Sequence, residues 1–338
     1  MKRILFYSSV NSLELFKTQK FYQIDISILK DLGYDVLLSN RIFDSLLFWK
    51  YDILFSYFYR YSFFAALLAK CFGKKTYFTG GIDSLDSDYA SAFNYKIQAL
   101  FFKLCYWVAD SCIIVSQSDL KNIFKVSSLK KKLSYSEHVI NTKLFIADVP
   151  KEKIFTSIVW MGDEGNVVRK GVDKALQIFA ELKKIPEFVD YRFVIIGRKG
   201  EGEVLVRSII DKYNLKGSVE LKGEVSEEDK INCLKQSKYY FQLSLYEGFG
   251  LAALEALCAN NIIIHSGKGG LANPIYKEQL LFDIDNDFDS ELLKLVNKLA
   301  CFTPITSYDN LLEYYDIQRR KDDFEAIIVN GKSNYKLK

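Results

Sequence analysis

Short apolar runs, each followed by an amphipathic stretch and often a glycine, recur along the chain. Residues 3–10 (RILFYSSV) predict a first strand. Residues 23–32 carry apolar side chains at Ile24, Ile26, Ile28, Leu29 and Leu32, and Gly33 closes them as a helix C-cap before a second strand at 34–38. Strand, helix, glycine, strand is the βαβ pattern of a parallel sheet. It continues with a strand at 51–58, a helix at 65–72 capped by Gly73, and a strand at 76–78 ending in Thr79-Gly80-Gly81-Ile82-Asp83. An aromatic helix at 99–108, a strand at 111–115, a basic amphipathic segment at 116–132 and a last strand at 138–143 complete the first half. Around 146–154 the pattern turns polar and contains Pro150, which marks a domain boundary.

The second half repeats the pattern. A strand at 157–161 leads into a polar loop at 162–170 and a helix at 171–182. A strand at 191–196 ends in Gly197, a helix follows at 203–213, a strand at 219–222 ends before Gly223, and a helix covers 227–236. Residues 239–270 (YYFQLSLYEGFGLAALEALCANNIIIHSGKGG) then read as strand, sharp loop, helix apolar nearly all round, strand and glycine loop. A charged helix is expected at 309–328.

Length and composition narrow the class. With 338 residues, 49% apolar and 26% charged, the chain suits two globular domains, each with its own core. No apolar run approaches the ~18 residues of a membrane-spanning helix. The start MKRILFYSSV turns polar at Ser8 and reads as a strand, not a leader. Six scattered cysteines form no CxxC pair and no cluster with histidine, so neither a disulfide framework nor a zinc site is expected, and the thiols read as buried in a reducing cytoplasm. Residues 1–150 hold 19 Lys and Arg against 13 Asp and Glu. That excess is too small to indicate nucleic acid. It is compatible with weak attraction of the first domain to an anionic membrane surface; the lysines of 116–132 read first as a solvated helix face, with a membrane contact as the alternative.

Ligands of open α/β sheets bind beyond the carboxyl ends of the strands. The loop Glu247-Gly248-Phe249-Gly250 feeds a helix at Leu251 whose first amides lack intrahelical partners, an anion site suited to a diphosphate. Arg169 and Lys170 precede a helix of the same sheet and reach the same edge. Cations beside a helix N-terminus neutralise a diphosphate leaving group without a metal. Glu255 lies about two turns beyond Glu247, roughly 12 Å along the axis, placed for the vicinal hydroxyls of a ribose. A carboxylate on a buried helix is costly unless donors meet it, which points to a ligand. Gly80, Gly81 and Asp83 sit at the corresponding edge of the first domain, where a ligand contact and a plain glycine turn fit equally. The turn after the first strand, SSVNS, lacks the GxGxxG of dinucleotide sites. Asp86-Ser87-Asp88 reads as a surface loop. The aspartates at 283–289 lack the Gly and Glu of a calcium loop, with Phe288 and Lys294 in those places. His265, ahead of Gly267, Gly269 and Gly270, is a candidate phosphate or sugar contact.

Residues 244–251 (SLYEGFGL), followed by Leu254-Glu255-Ala256, resemble the family 4, group 1 glycosyltransferases of GT-B fold, with their two glutamates eight positions apart around GFG. Arg169-Lys170-Gly171 resembles the family's phosphate loop, Ile196-Gly197 its base-proximal loop, and residues 221–226 (LKGEVS) its FxGxVS segment. The resemblance is strong over 158–270 and weak before Ala109. Departures fall at Asp163, where the family has Arg after glycine, at Thr79 in place of a histidine, and at Leu271-Ala272-Asn273 in place of a carboxylate. The resemblance implies two Rossmann-like domains facing across a cleft: an acceptor-side domain at 1–148, a nucleotide-sugar domain at 149–308, and a helix and tail at 309–338 packing back on the first domain. It implies a cytoplasmic, metal-independent, retaining hexosyltransferase, peripheral on the inner face of the cell membrane. The enzyme would use a UDP- or GDP-sugar and a glycan or lipid-linked acceptor in cell-surface polysaccharide assembly, with no prosthetic group. Glu247 would lie against the transferred sugar, Arg169 and Lys170 on the diphosphate, and Glu255 on the ribose. Gly197, Gly223, Val225 and the 248–251 backbone would bound the nucleotide, with Gly80, Gly81 and Asp83 on the acceptor side. Two alternatives remain open: a non-catalytic nucleotide-sugar-binding subunit, and a sugar-nucleotide epimerase on the same fold.

Overall fold

Nearly continuous apolar runs can be buried on both faces, and in the computed structural model, which describes residues 1–146, 149–302 and 309–332, they form two parallel six-stranded sheets. The chain divides into one unit of Met1–Ile140 with Tyr314–Lys338 and another of Asn141–Glu313. The boundaries expected at 148/149 and 308/309 fall at residues outside the described ones, and the tail residues 333–338 also lie outside them.

The first unit holds β1 (Arg3–Ser8), α1 (Leu15–Thr18), α2 (Lys20–Asp31), β2 (Asp35–Ser39), β3 (Ile53–Tyr57), α3 (Ser62–Cys71), β4 (Lys75–Thr79), α4 (Ala92–Val108), β5 (Ser111–Ile114), α5 (Gln117–Val126) and β6 (Leu133–Tyr135). Its strand order is β2-β1-β3-β4-β5-β6. One face of the sheet packs Leu5, Leu54, Phe78 and Ile114 under α3 and α4, and the other packs Ile4, Phe6, Phe55 and Ile113 against α2 and the C-terminal segment.

Three elements differ from the sequence reading. α4 starts at Ala92, not 99, because the Ser91 hydroxyl caps it by accepting from the Asn94 amide at 3.3 Å. The basic segment 116–132 is helical only to Val126, and Leu133 to Tyr135 pair with β5 as the sixth strand. The strand expected at 138–143 is absent. Val139 and Ile140 are buried, but Ile140 makes only an isolated parallel bridge to Asp316.

The second unit holds β7 (Glu152–Ile158), α6 (Glu164–Arg169), α7 (Val172–Leu182), β8 (Arg192–Ile196), α8 (Glu203–Lys212), β9 (Val219–Gly223), α9 (Glu227–Gln236), β10 (Ser237–Gln242), α10 (Leu251–Cys258), β11 (Ile262–His265), β12 (Leu280–Leu281), α11 (Phe288–Cys301) and α12 (Asp309–Tyr314). Its order, β12-β11-β10-β7-β8-β9, reverses direction between β7 and β10. That crevice, outside the carboxyl ends of the strands, is where such sheets bind ligands. The polar stretch 162–170, expected as a loop, folds as α6 because the Asp163 carboxylate caps it through the Asn166 amide at 2.6 Å.

The expected single helix at 309–328 is interrupted at Tyr315-Asp316. α13 (Ile317–Phe324) then packs on α2 of the first unit. Of the cysteines whose side chains are described, Cys105, Cys112, Cys233 and Cys258 are buried free thiols, whereas Cys71 is exposed.

Candidate functional site

The switch point of the second sheet brings two segments together: the turn between α6 and α7, which carries Arg169 and Lys170, and the loop after β10, which carries Glu247. Their backbones interlock. The Leu245 amide donates to the Arg169 carbonyl at 2.9 Å. Gly171 has φ +68°, and a Cβ there would fall on the Leu243 carbonyl, so only glycine lets the two loops approach this closely. A third loop, after β11, closes on the same place, where the Gly270 amide donates to the Glu247 carbonyl at 2.5 Å.

This frame fixes a polar network around one carboxylate oxygen. Glu247 Oε2 accepts from Lys170 Nζ at 2.7 Å, Ser244 Oγ at 3.1 Å and Gln242 Nε2 at 3.2 Å. Gln242 is held in turn by Tyr240, whose buried hydroxyl accepts from the Ile158 amide at 3.3 Å and donates to Gln242 Oε1 at 3.1 Å. Burial pushes the Tyr240 phenol far above its ordinary range, so it stays a neutral donor. Three side chains from β10 and its loop, Tyr240, Gln242 and Ser244, together with Lys170, therefore orient Glu247 before any ligand arrives. Lys170 and Glu247 are partly exposed, so the pair faces solvent and can exchange partners.

The other predicted residues take up different positions. Arg169 does not join the Lys170–Glu247 pair; its guanidinium donates to Asn166 Oδ1 at 2.7 Å. Gly250, at φ +88°, caps α10, with Phe249 buried beneath it and Gly248 half-buried beside it. Gly197 and Gly223 lie side by side at the ends of β8 and β9, the Gly197 amide donating to the Gly223 carbonyl at 2.9 Å. Val225 packs on Ile196 and Val194 just beyond them.

Glu255 is buried on α10, and its cost is met within the protein: Lys230 Nζ on α9 donates to both carboxylate oxygens at 2.8 and 2.9 Å. Burial opposes the charge on Lys230, but Glu255 and Glu227 outweigh it, and the pKa of Lys230 rises. The inference that this buried carboxylate needs a ligand is thereby corrected. His265, the last residue of β11, has Nε2 at 3.2 Å from the Tyr276 carbonyl, and burial lowers its pKa to about 4. It is a neutral imidazole at physiological pH and offers no charge to a phosphate.

Gly80, Gly81 and Asp83 follow β4 in the first unit. The Ile82 amide between them donates to Asp119 Oδ1 at 3.3 Å. Asp86 caps its own loop through the amides of Asp88 and Tyr89 at 2.9 and 3.2 Å, the role of a surface turn. Among the described residues no group of acidic, histidine or cysteine side chains is arranged to hold a metal ion.

Sequence reasoning missed Gln242, Lys230 and Asp119. Gln242 carried a signal, as a polar residue at the end of an otherwise apolar strand. Lys230 carried none, because its partner lies on another helix.

Comparison with known proteins places these features. Residues 165–299, under half of the chain but including Arg169, Lys170, Glu247 and Glu255, match the family model for glycosyl transferases group 1. A GDP-mannose:cellobiosyl-diphosphopolyprenol alpha-mannosyltransferase of Xanthomonas oryzae pv. oryzae is 31% identical over 163 residues, 42% of this chain and 40% of that protein. A poly(ribitol-phosphate) alpha-N-acetylglucosaminyltransferase of Staphylococcus aureus is 27% identical over 61% of this chain and 39% of that protein. The chain thus spans about two fifths of the length of these relatives. In structure, Anabaena HepE in complex with UDP-glucose aligns over 98% of this chain and 100% of that one, with TM-score 0.74 and 12% identity. Sucrose-phosphate synthase of Thermosynechococcus elongatus aligns over 98% and 97%, with TM-score 0.66 and 16% identity. These likenesses show the two-domain α/β architecture of the GT-B fold.

Proposed function

We propose that this chain, whose residues 165–299 match the family model for glycosyl transferases group 1, moves a hexose, with retention of configuration and without a metal, from a UDP- or GDP-sugar to a lipid-linked glycan in cell-surface polysaccharide assembly. The observation that carries this reading is the Lys170–Glu247 pair at the β7/β10 switch point, beside the N-terminus of α10. Relatives named for GDP-mannose and for a diphosphopolyprenol acceptor, and a structural neighbour solved with UDP-glucose, support the substrate classes. The cytoplasmic face of the membrane is where such a donor and such an acceptor meet.

The residues divide the work as follows. The first amides of α10 and the Lys170 ammonium receive the diphosphate, and Arg169 turns from Asn166 to join them. As Lys170 shifts toward the phosphates, Glu247 keeps its bonds to Ser244 and Gln242 and accepts from the hydroxyls of the sugar. Gly197, Gly223 and Val225 bound the base, and Glu255 meets the ribose while keeping Lys230. In the transfer step the bond from the anomeric carbon to the diphosphate oxygen breaks. The acceptor oxygen bonds to the same face of that carbon, and the acceptor proton passes to a phosphate oxygen of the leaving group. No side-chain nucleophile is used. The protein's part is positioning and charge neutralisation at the diphosphate.

The test is release of nucleoside diphosphate from a panel of UDP- and GDP-sugars, with and without lipid-linked acceptor. Release that depends on acceptor, and that falls about a hundredfold or more in Lys170→Ala and Glu247→Ala, is expected. Donor binding with no release under any acceptor would point instead to a binding subunit. Interconversion of two free nucleotide-sugars would point to an epimerase.

A further inference from the structure

The longest helix of the first unit presents solvent with an unusual face. α4 runs for 17 residues, AFNYKIQALFFKLCYWV, and contains no acidic residue. Its inner face, with Phe102, Cys105, Tyr106 and Val108, is in the core. On its outer face Phe93, Leu100 and Trp107 are 72%, 56% and 69% exposed. They recur every seven residues, a spacing that drifts only about 20° per repeat, so the three side chains form one stripe. At 1.5 Å per residue that stripe is roughly 21 Å long. Lys96 and Lys103 follow Phe93 and Leu100 by three residues and are also exposed, so amines and apolar groups alternate along the same surface.

The surroundings carry the same character. Phe64 of α3 is exposed beside α4, its ring 6.1 Å from that of Phe101. At the far end, Lys132 Nζ donates to the carbonyls of Trp107 and Tyr106 at 2.8 and 3.2 Å, replacing the missing helical partners of the last turn. Asp110, just past the end of α4, is bonded to Lys70 at 2.8 Å, so its charge is met.

An exposed apolar stripe interleaved with lysines and free of acids fits one kind of partner: a surface that is apolar in depth and negative at its rim. We infer that α4 is the docking surface of this protein for an anionic lipid bilayer. Phe93, Leu100 and Trp107 enter the acyl boundary, and Lys96 and Lys103 lie at the headgroup level against the lipid phosphates. Among the described residues no helix is long and apolar enough to cross a membrane, so α4 lies along the interface. α4 begins where the loop after β4 ends, so docking holds the Gly80–Asp83 edge of the first unit at the lipid surface. The inference rests on the reading of a lipid-linked acceptor. It also puts the membrane contact on α4 and leaves the lysines of α5 as a solvated face.

The test is co-sedimentation of the full chain with vesicles of phosphatidylcholine, with and without phosphatidylglycerol. Binding is expected only with phosphatidylglycerol, weakening as salt rises. It should fall at least tenfold in the triple variant Phe93→Ser, Leu100→Ser, Trp107→Ser and also in Lys96→Glu, Lys103→Glu. Lys121→Glu with Lys125→Glu on α5 should leave it nearly unchanged. Equal binding to neutral vesicles, loss through the α5 variant alone, or a wild-type chain that self-associates through α4 and ignores vesicles would each overturn the inference. Circular dichroism and melting temperature confirm that the variants fold. Transfer to a short soluble glycoside acceptor separates the two readings. The triple variant keeps that activity if only docking is lost. A wild-type protein that binds vesicles but transfers to no acceptor refutes the catalytic reading and leaves docking intact.

Discussion

Asp119 shows how much a single residue can determine locally. It is fully buried at the start of α5, with Oδ1 accepting from the Ile82 amide and Oδ2 without a partner. Burial chiefly, then the nearby Asp83 and Asp86, push its pKa up from 3.8 to about 8, against the hydrogen bonds from Ser116 and Ile82. The folded state therefore holds a proton that the unfolded chain gives up near pH 4. By linkage, the stability from this group is complete below about pH 4 and is lost as pH rises toward about 8. Asp119→Asn keeps the acceptor for Ile82 and removes the titration. The melting temperature of the wild type relative to Asp119→Asn is expected to fall steadily across that window and to level off above it. Parallel melting curves across that pH range would rule out a buried titrating Asp119. Because Asp119 holds the turn through Gly80 to Asp83, the same titration reaches the edge of the first unit where an acceptor is proposed.

At the level of elements, α9 and α10 meet through the ion pair of Lys230 and Glu255, whose side chains are 13% and 7% exposed. Removing one partner of such a pair strands a buried charge. Lys230→Met is expected to cost about 3–5 kcal/mol, whereas Lys230→Met with Glu255→Leu should come within about 1–2 kcal/mol of wild type or exceed it. Denaturant melts of the three chains measure this. If Glu255 also holds a ribose, the double variant folds but loses the rise in melting temperature that a nucleotide-sugar gives the wild type. The sequence displayed the helices and strands of this unit well, because their apolar periods are long and glycines punctuate them. It showed Glu255 as buried but not the lysine opposite, since helix pairing is a contact between distant segments. Short elements governed by one polar contact were equally illegible. α6 depends on the Asp163 cap and has almost no apolar period, and so it reads as a loop. Val139 and Ile140 have the composition of a strand, yet find an isolated bridge to Asp316 where a neighbouring strand was expected.

On the scale of the whole molecule, a chain that leaves its first unit at Ile140 must return to it at Tyr314, and one side chain secures the return. Arg320 of α13 is fully buried. Its Nε and an Nη bond both oxygens of Asp25 on α2 at 2.7 and 2.8 Å, and its other Nη reaches the carbonyls of Ser136 and Glu137. The Tyr57 hydroxyl donates to the same carboxylate from β3. Burial opposes the guanidinium charge, but Asp25 outweighs it and raises the Arg320 pKa further, so the guanidinium stays charged at any working pH. The sequence showed the tail as a charged helix, and only the resemblance implied that it packs back on the first domain; its apolar residues are few, and the arginine that anchors it could not be told from Arg319 or Lys321 beside it. Arg320→Met leaves Asp25 charged and unmatched in the core of the first unit, at a cost of about 3–5 kcal/mol, and Asp25→Asn in the same chain should recover part of it. The loss falls on the first unit alone. Under limited proteolysis the Arg320→Met chain is expected to be cut in α2 and α13 at denaturant concentrations that leave the wild type intact. The Asn141–Glu313 unit should resist, and should still be stabilised by nucleotide-sugar. Simultaneous loss of both units would mean that Arg320 supports the chain as one cooperative block, and that the return of α13 does more than anchor the first sheet.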